Sequence, residues 1–174
     1  ELIKKNSFFV VISNLFLNDS SDSQMLELLK KQNIPTIIFS STLESELLGK
    51  YSNIIDYVLK DSNGFRYIYK LVSAMEFCYK EKVLVIDDSV TISTQIKEIL
   101  EKLLLKVTIV EDGVKALEIL NQEENFSLIL SDYEMPNLNG LELTRKIRSL
   151  NYYKNSPVII ITNSNQNDLK IEFY

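Results

Sequence analysis

Two short apolar runs in this chain end abruptly in acid. Val83-Leu84-Val85-Ile86 leads into Asp87-Asp88-Ser89, and Phe126-Ser127-Leu128-Ile129-Leu130 leads into Ser131-Asp132-Tyr133-Glu134-Met135-Pro136-Asn137-Leu138-Asn139-Gly140. If both runs are parallel strands of one sheet, Asp87, Asp88 and Asp132 converge on a crevice at its carboxyl edge, where open α/β folds keep their chemistry. Three carboxylates so close repel one another and need a cation, and an all-oxygen ligand set selects a hard one such as Mg²⁺. A third run, Pro157-Val158-Ile159-Ile160-Ile161, ends in Thr162 and brings a hydroxyl to the same crevice. A carboxylate beside a divalent cation, with a hydroxyl donor nearby, can attack phosphorus and hold an acyl phosphate. Helix capping alone would explain one Asp-Asp pair. It does not explain the pair, the Asp-x-x-Met-Pro-x-x-x-Gly turn and the strand-end Thr occurring in this order.

The elements that must position these residues are legible. The three runs are short, β-branched or aliphatic and bounded by polar residues, as strands buried on both faces are. Between them, Val90 to Leu104 reads as a helix with Ile92, Ile96, Ile99, Leu100 and Leu103 on its buried side. Lys106 to Val110 reads as a strand, and Val114 to Asn121 and Leu141 to Leu150 as helices. Asn151 to Ser156 is a loop carrying the tyrosine pair Tyr152-Tyr153. Strand and helix in alternation predict an α/β doubly wound parallel sheet.

These residues resemble the response-regulator receiver family, the phosphoacceptor half of two-component signalling. The resemblance runs from Val83 to Asp168 and rests on the acidic pair, the Asp followed by Met-Pro and Gly, and the strand-end Thr; Glu111-Asp112-Gly113 matches the turn before the family's second helix. It implies a flavodoxin-like fold with strand order 2-1-3-4-5. It further implies Asp132 as phosphoacceptor, Mg²⁺ held by Asp87, Asp88, Asp132 and the backbone carbonyl of Glu134, and Thr162 as the switch hydroxyl. The family also carries a Lys at the end of its fifth strand, and the residues after Thr162 contain neither that strand nor the helix that follows it.

The pattern recurs in the first half. Phe8 to Asn14 aligns with Phe126 to Asp132, and Pro35 to Ser40 with Pro157 to Thr162; Ile55 to Lys60 reads as a fifth strand ending in Lys. Gly64 to Tyr79 reads as an amphipathic last helix, with Phe65, Ile68, Leu71, Val72, Met75 and Phe77 available for its apolar side. Repetition at this scale means duplicated domains. Residues 1–80 are therefore expected to be the C-terminal part of a degenerate receiver-like unit, and 81–174 a phosphoacceptor receiver lacking its last strand and helix, joined by Tyr79-Lys80-Glu81-Lys82. In the first unit Asn14 replaces the phosphoacceptor and Leu17 to Asp22 replaces the Met-Pro turn, so no covalent chemistry is expected there. Asp19 and Asp22 read as loop and helix-start residues. Glu1 to Lys5 reads as the end of a helix and Leu169 to Tyr174 as the start of one, so the chain is expected to be a fragment, or the ordered part, of a longer polypeptide. Complementation, with the first unit donating a fifth strand and last helix to the second or to a neighbouring copy, is the less favoured alternative.

Composition narrows function. At 174 residues the chain suits one or two domains. A hydrophobic content of 45% with 25% charged residues is ordinary for a soluble protein, and the net charge of −5 without a basic stripe argues against nucleic acid. No apolar run reaches membrane-spanning length and no signal peptide is visible, so neither membrane association nor secretion is expected and the cytoplasm is the expected compartment. The single cysteine, Cys78, excludes an internal disulfide. Histidine is absent, which excludes His-based triads and typical zinc sites and means that phosphate must come from a separate histidine kinase or a small phosphodonor. The four glycines form no nucleotide-binding loop. The leading expectation is a phosphorylation-dependent switch acting on an output domain or partner protein, not itself an enzyme, with homodimerisation left open. The alternatives are a non-enzymatic adaptor or dimerisation module, and the regulatory half of a diguanylate cyclase whose GGDEF output domain lies beyond residue 174.

Overall fold

The computed structural model describes residues 2–14, 22–42, 49–122 and 125–162, and these form two compact units, Glu1–Phe77 and Cys78–Tyr174. Asp19 and the expected helix start at 169–174 lie outside the described residues.

In the first unit the elements are α1 (Leu2–Lys5), β1 (Val11–Ser13), α2 (Asp22–Lys31), β2 (Thr36–Ser40), β3 (Ile54–Leu59) and α3 (Gly64–Cys78). The three strands are parallel in the order β1-β2-β3. β2 is buried throughout, with an apolar centre Ile37-Ile38-Phe39 between the buried polar residues Thr36 and Ser40. The Phe8–Asn14 run yields a strand only over Val11–Ser13, where it pairs with Thr36–Ile38. Along α3, the positions that face inward are Gly64, Ile68, Leu71, Val72, Met75 and Cys78. Phe65 and Phe77, expected on the apolar side, are instead 71% and 85% exposed. Each sits one residue, about 100° of helix rotation, from an inward-facing position. Phe65 keeps an edge-on contact with Phe39, ring centroids 4.8 Å apart. The helix stops at Cys78, with Lys80 left-handed (φ 67°) and the Glu81 amide donating to the Cys78 carbonyl.

The second unit contains β4 (Lys82–Ile86), α4 (Val90–Lys102), β5 (Lys106–Val110), α5 (Gly113–Gln122), β6 (Phe126–Asp132), α6 (Gly140–Ser149), a 3₁₀ turn (Asn151–Tyr153) and β7 (Val158–Ile161). Its parallel sheet has the order β5-β4-β6-β7, the first four places of the 2-1-3-4-5 order, and the first unit supplies the equivalent of the last three. The fold is α/β and flavodoxin-like in both. Alternation along β4 divides the core. Leu84 and Ile86 pack with Ala116, Leu120, Leu143 and Ile147 from α5 and α6, while Val83 and Val85 meet Ile96 and Leu100 of α4 on the other face.

Two expectations about α4 are corrected. α4 turns Ser93, Ile96 and Leu100 inward, leaving Ile92 and Ile99 38% and 63% exposed, because these lie one residue round from Ser93 and Leu100. α4 also ends at Lys102 rather than Leu104, which is left-handed (φ 65°) and cannot extend it. The tyrosine pair is split: Tyr152 is exposed, but Tyr153 is 1% exposed and belongs to the core. Arg148 Nη1 donates to the carbonyls of Tyr153 (3.0 Å) and Ser156 (2.6 Å), closing this loop over the end of α6. Among the described residues, no helix is long and apolar enough to cross a membrane.

Candidate metal centre

β4 and β6 are neighbours with Ile86 beside Ser131, so the residues that follow each strand leave the sheet at one edge. The carboxylates of Asp87, Asp88 and Asp132 meet there, with one oxygen from each lying within 4.8 Å of the others. Asp87 is buried (5% exposed), and its Oδ1 accepts from the Ser89 amide at 2.8 Å. Asp88 is exposed and Asp132 half-buried. Ser89 is also the N-cap of α4, accepting from the Ile92 amide. The acidic pair is thus fixed by the helix start that follows it: one carboxylate held inside, one left to solvent.

Burial pushes the Asp132 carboxyl above the usual carboxylate range, and the charges of Asp87 and Asp88 add to this, while the backbone amides of Tyr133 and Glu134 pull the other way. Asp132 therefore holds a proton more readily than an isolated carboxylate does.

The loop after Asp132 is built for close approach. Met135 is buried in the core and Asn137 takes a left-handed conformation (φ 67°), which asparagine tolerates. The Gly140 amide donates to the Tyr133 carbonyl at 3.0 Å, and a Cβ on Gly140 would lie 2.5 Å from the Asp132 carbonyl oxygen. Asn139 and Glu142 form a capping box on α6. Its sequence signal is the Asn-x-x-Glu spacing from Asn139 to Glu142. Gly140→Ala should force the backbone behind Asp132 to shift and cost about 1–3 kcal/mol, as overpacking does. Urea unfolding of the two proteins measures this, and an unchanged midpoint would show that the loop yields freely.

Ile161 is the register partner of Asp132, so Thr162 follows at the same edge, one step past the end of β7. Glu134 is in the loop two residues after Asp132, with its side chain exposed. The structure therefore brings three of the expected residues into one cluster and puts Thr162 and Glu134 on the segments that border it.

Comparison with known proteins agrees with this layout. The response regulator receiver domain family matches residues 83–174. A two-component response regulator of Oryza sativa subsp. japonica, ORR5, is 40% identical over 83 residues, covering 48% of this chain and 62% of the relative. A chemotaxis protein CheY homolog of Campylobacter jejuni is 39% identical over 82 residues, covering 47% of this chain and 63% of the relative. The chain thus spans less than two thirds of either curated relative. A solved structure assigned as a two-component system response regulator/GGDEF domain protein superposes with a TM-score of 0.83 at 29% identity, over 95% of this chain and 69% of that one. With an acidic cluster of the receiver type at the carboxyl edge of a receiver-ordered sheet, the chain belongs to the response regulator receiver domain family of two-component signalling.

Proposed function

We propose that the second unit is a Mg²⁺-dependent phosphoacceptor switch and that the first is a degenerate receiver without covalent chemistry. The observation that carries this reading is the convergence of Asp87, Asp88 and Asp132. Oxygens on opposite sides of a Mg²⁺ are about 4.2 Å apart, twice the Mg–O distance, so the spread of the cluster suits the ion after a small contraction. Asp87, Asp88, Asp132 and the Glu134 carbonyl would hold it. Bound there, the cation neutralises charge on the transferring phosphoryl group.

The chain's own residues do the rest. A carboxylate oxygen of Asp132 attacks phosphorus of a phosphohistidine on a partner kinase, or of a small acyl phosphate. The new O–P bond forms as the N–P or O–P bond to the donor breaks, and the leaving group takes up its own proton. The phosphoryl group then adds negative charge next to Thr162, whose hydroxyl can donate to it, and movement of that residue is the change that an output domain or partner reads in the cytoplasm. Asn14 leaves the first unit without a nucleophile. Incubation with acetyl phosphate and Mg²⁺, followed by intact-mass analysis and peptide mapping, should show a single phosphoryl adduct on Asp132. An unmodified protein that also fails to bind beryllofluoride would sink the switch and leave an adaptor module.

A second reading is favoured by the likeness to the response regulator/GGDEF protein: the two units would be the regulatory part of a diguanylate cyclase. Sequence of the gene past codon 174 tests it directly, since a following domain without the GGDEF motif excludes it.

A further inference from the structure

Ser131 is fully buried near the end of β6, with Ile86 of β4 and Ile160 of β7 as its register partners. An aliphatic side chain would bury more apolar surface at such a position. The hydroxyl instead donates to the carbonyl of the next residue, Asp132, at 2.9 Å.

The sheet shows why that carbonyl takes a side-chain donor. The amides of Ile129 and Tyr133 donate to the carbonyls of Pro157 and Ile161, on the β7 side. Backbone groups alternate along a strand, so the carbonyl of Asp132 faces β4. β4 pairs with β6 only as far as Ile86 beside Ser131, which leaves the Asp132 carbonyl one step past the ladder. The peptide joining Asp132 to Tyr133 is thus held at both ends, its carbonyl by the Ser131 hydroxyl and its N–H by Ile161 at 2.9 Å. Gly140 closes a third side, since a Cβ there would lie 2.5 Å from the same carbonyl oxygen. Turning this peptide would change ψ at Asp132 and swing the amides of Tyr133 and Glu134, which hydrogen-bond to the Asp132 carboxylate.

The first unit repeats the device. Ser13 Oγ donates to the Asn14 carbonyl at 3.0 Å. The Val11 amide donates to Pro35, so by the same alternation the Asn14 carbonyl faces away from β2, on the outer side of the edge strand β1. The bond therefore belongs to the strand end, and in the second unit that strand end carries a carboxylate to be aimed.

We infer that Ser131 is a positioning residue for phosphoryl transfer: by fixing the peptide after Asp132, its hydroxyl sets the direction in which the Asp132 carboxylate meets the cation and the phosphorus. The inference rests on Asp132 being the phosphoacceptor. Ser131 itself forms no bond to phosphorus and transfers no proton.

The test follows the rate of the Asp132 adduct at saturating Mg²⁺ over a range of acetyl phosphate concentrations, with thermal unfolding alongside to match folded fractions. Ser131→Ala should be slower at least about fivefold at every donor concentration, as loss of alignment makes it. Ser131→Cys keeps the volume but donates only weakly, and should be slow as well. Ser131→Thr keeps the hydroxyl and should recover most of the rate. Ser13→Ala removes the same bond from the first unit and should be phosphorylated like the parent. Parental rates in Ser131→Ala and Ser131→Cys, a Ser131→Thr protein as slow as Ser131→Ala, or losses that vanish at matched folded fraction would overturn the inference while leaving Asp132 as phosphoacceptor. A parent that takes up no phosphoryl group would overturn both.

Discussion

Asp132→Asn should remove phosphorylation of the whole chain, not reduce it. An amide cannot attack phosphorus, and among the described residues no second carboxylate is placed to substitute. Asp87 is buried, with Oδ1 tied to the Ser89 amide. Asp88 is exposed and has a place in the proposed metal site. The first unit carries Asn14 where β1 ends. The converse change, Asn14→Asp, should not create a phosphorylation site, because β1 is an edge strand of the three-stranded sheet and no acidic pair lies beside it among the described residues. Without a cation the charge of the incoming phosphoryl group goes unneutralised. Phosphotransfer to the two variants, resolved by peptide mapping, checks both statements. A phosphopeptide from residues 1–77 in either variant would refute the division of labour.

The acidic cluster of the second unit was legible because strand ends are marked twice. Val83–Ile86 is apolar because both faces of β4 are covered, and Asp87-Asp88 breaks that run where the sheet meets solvent. The same contrast marks Asp132 after Ile129-Leu130. Strand order followed from the alternation of elements and the resemblance together. Rotation of the helices was less legible. Ile92 and Ile99 in α4, and Phe65 and Phe77 in α3, are apolar residues at the border of the buried stripe, and composition alone does not say on which side of that border a residue falls. Ser93 is the counter-case. It is 2% exposed because its hydroxyl returns to the carbonyls of Ser89 and Val90, which lets a polar residue lie against the sheet. The burial of Tyr153 was illegible for a related reason, since nothing local in the sequence announces that Arg148 reaches forward to the carbonyls of Tyr153 and Ser156.

Asp88→Ala should weaken Mg²⁺ binding at least about tenfold, because it removes a charge and a ligand together, and should stabilise the metal-free protein at neutral pH. The sign follows from Asp132. Its carboxyl titrates above the ordinary value in the folded state, through burial first and then through the charges of Asp87 and Asp88. A carboxyl with a raised folded value holds its proton more tightly when folded, so its contribution favours the fold at low pH. That contribution is lost as pH rises from the ordinary carboxylate value through the raised one. Above this window the three charges oppose one another, and removing Asp88 relieves part of that repulsion; within and below it the advantage of Asp88→Ala should shrink. Mg²⁺ at a hundred times the parent's Kd should work against that ranking, since it stabilises the parent by about 2.7 kcal/mol and a variant that binds tenfold more weakly by only about half of this. Thermal unfolding of both proteins from neutral to acid pH, with and without Mg²⁺, reads every arm. A metal-free Asp88→Ala protein that melts below the parent at neutral pH, or equal Mg²⁺ affinities by calorimetry, would show that these carboxylates do not act as one site.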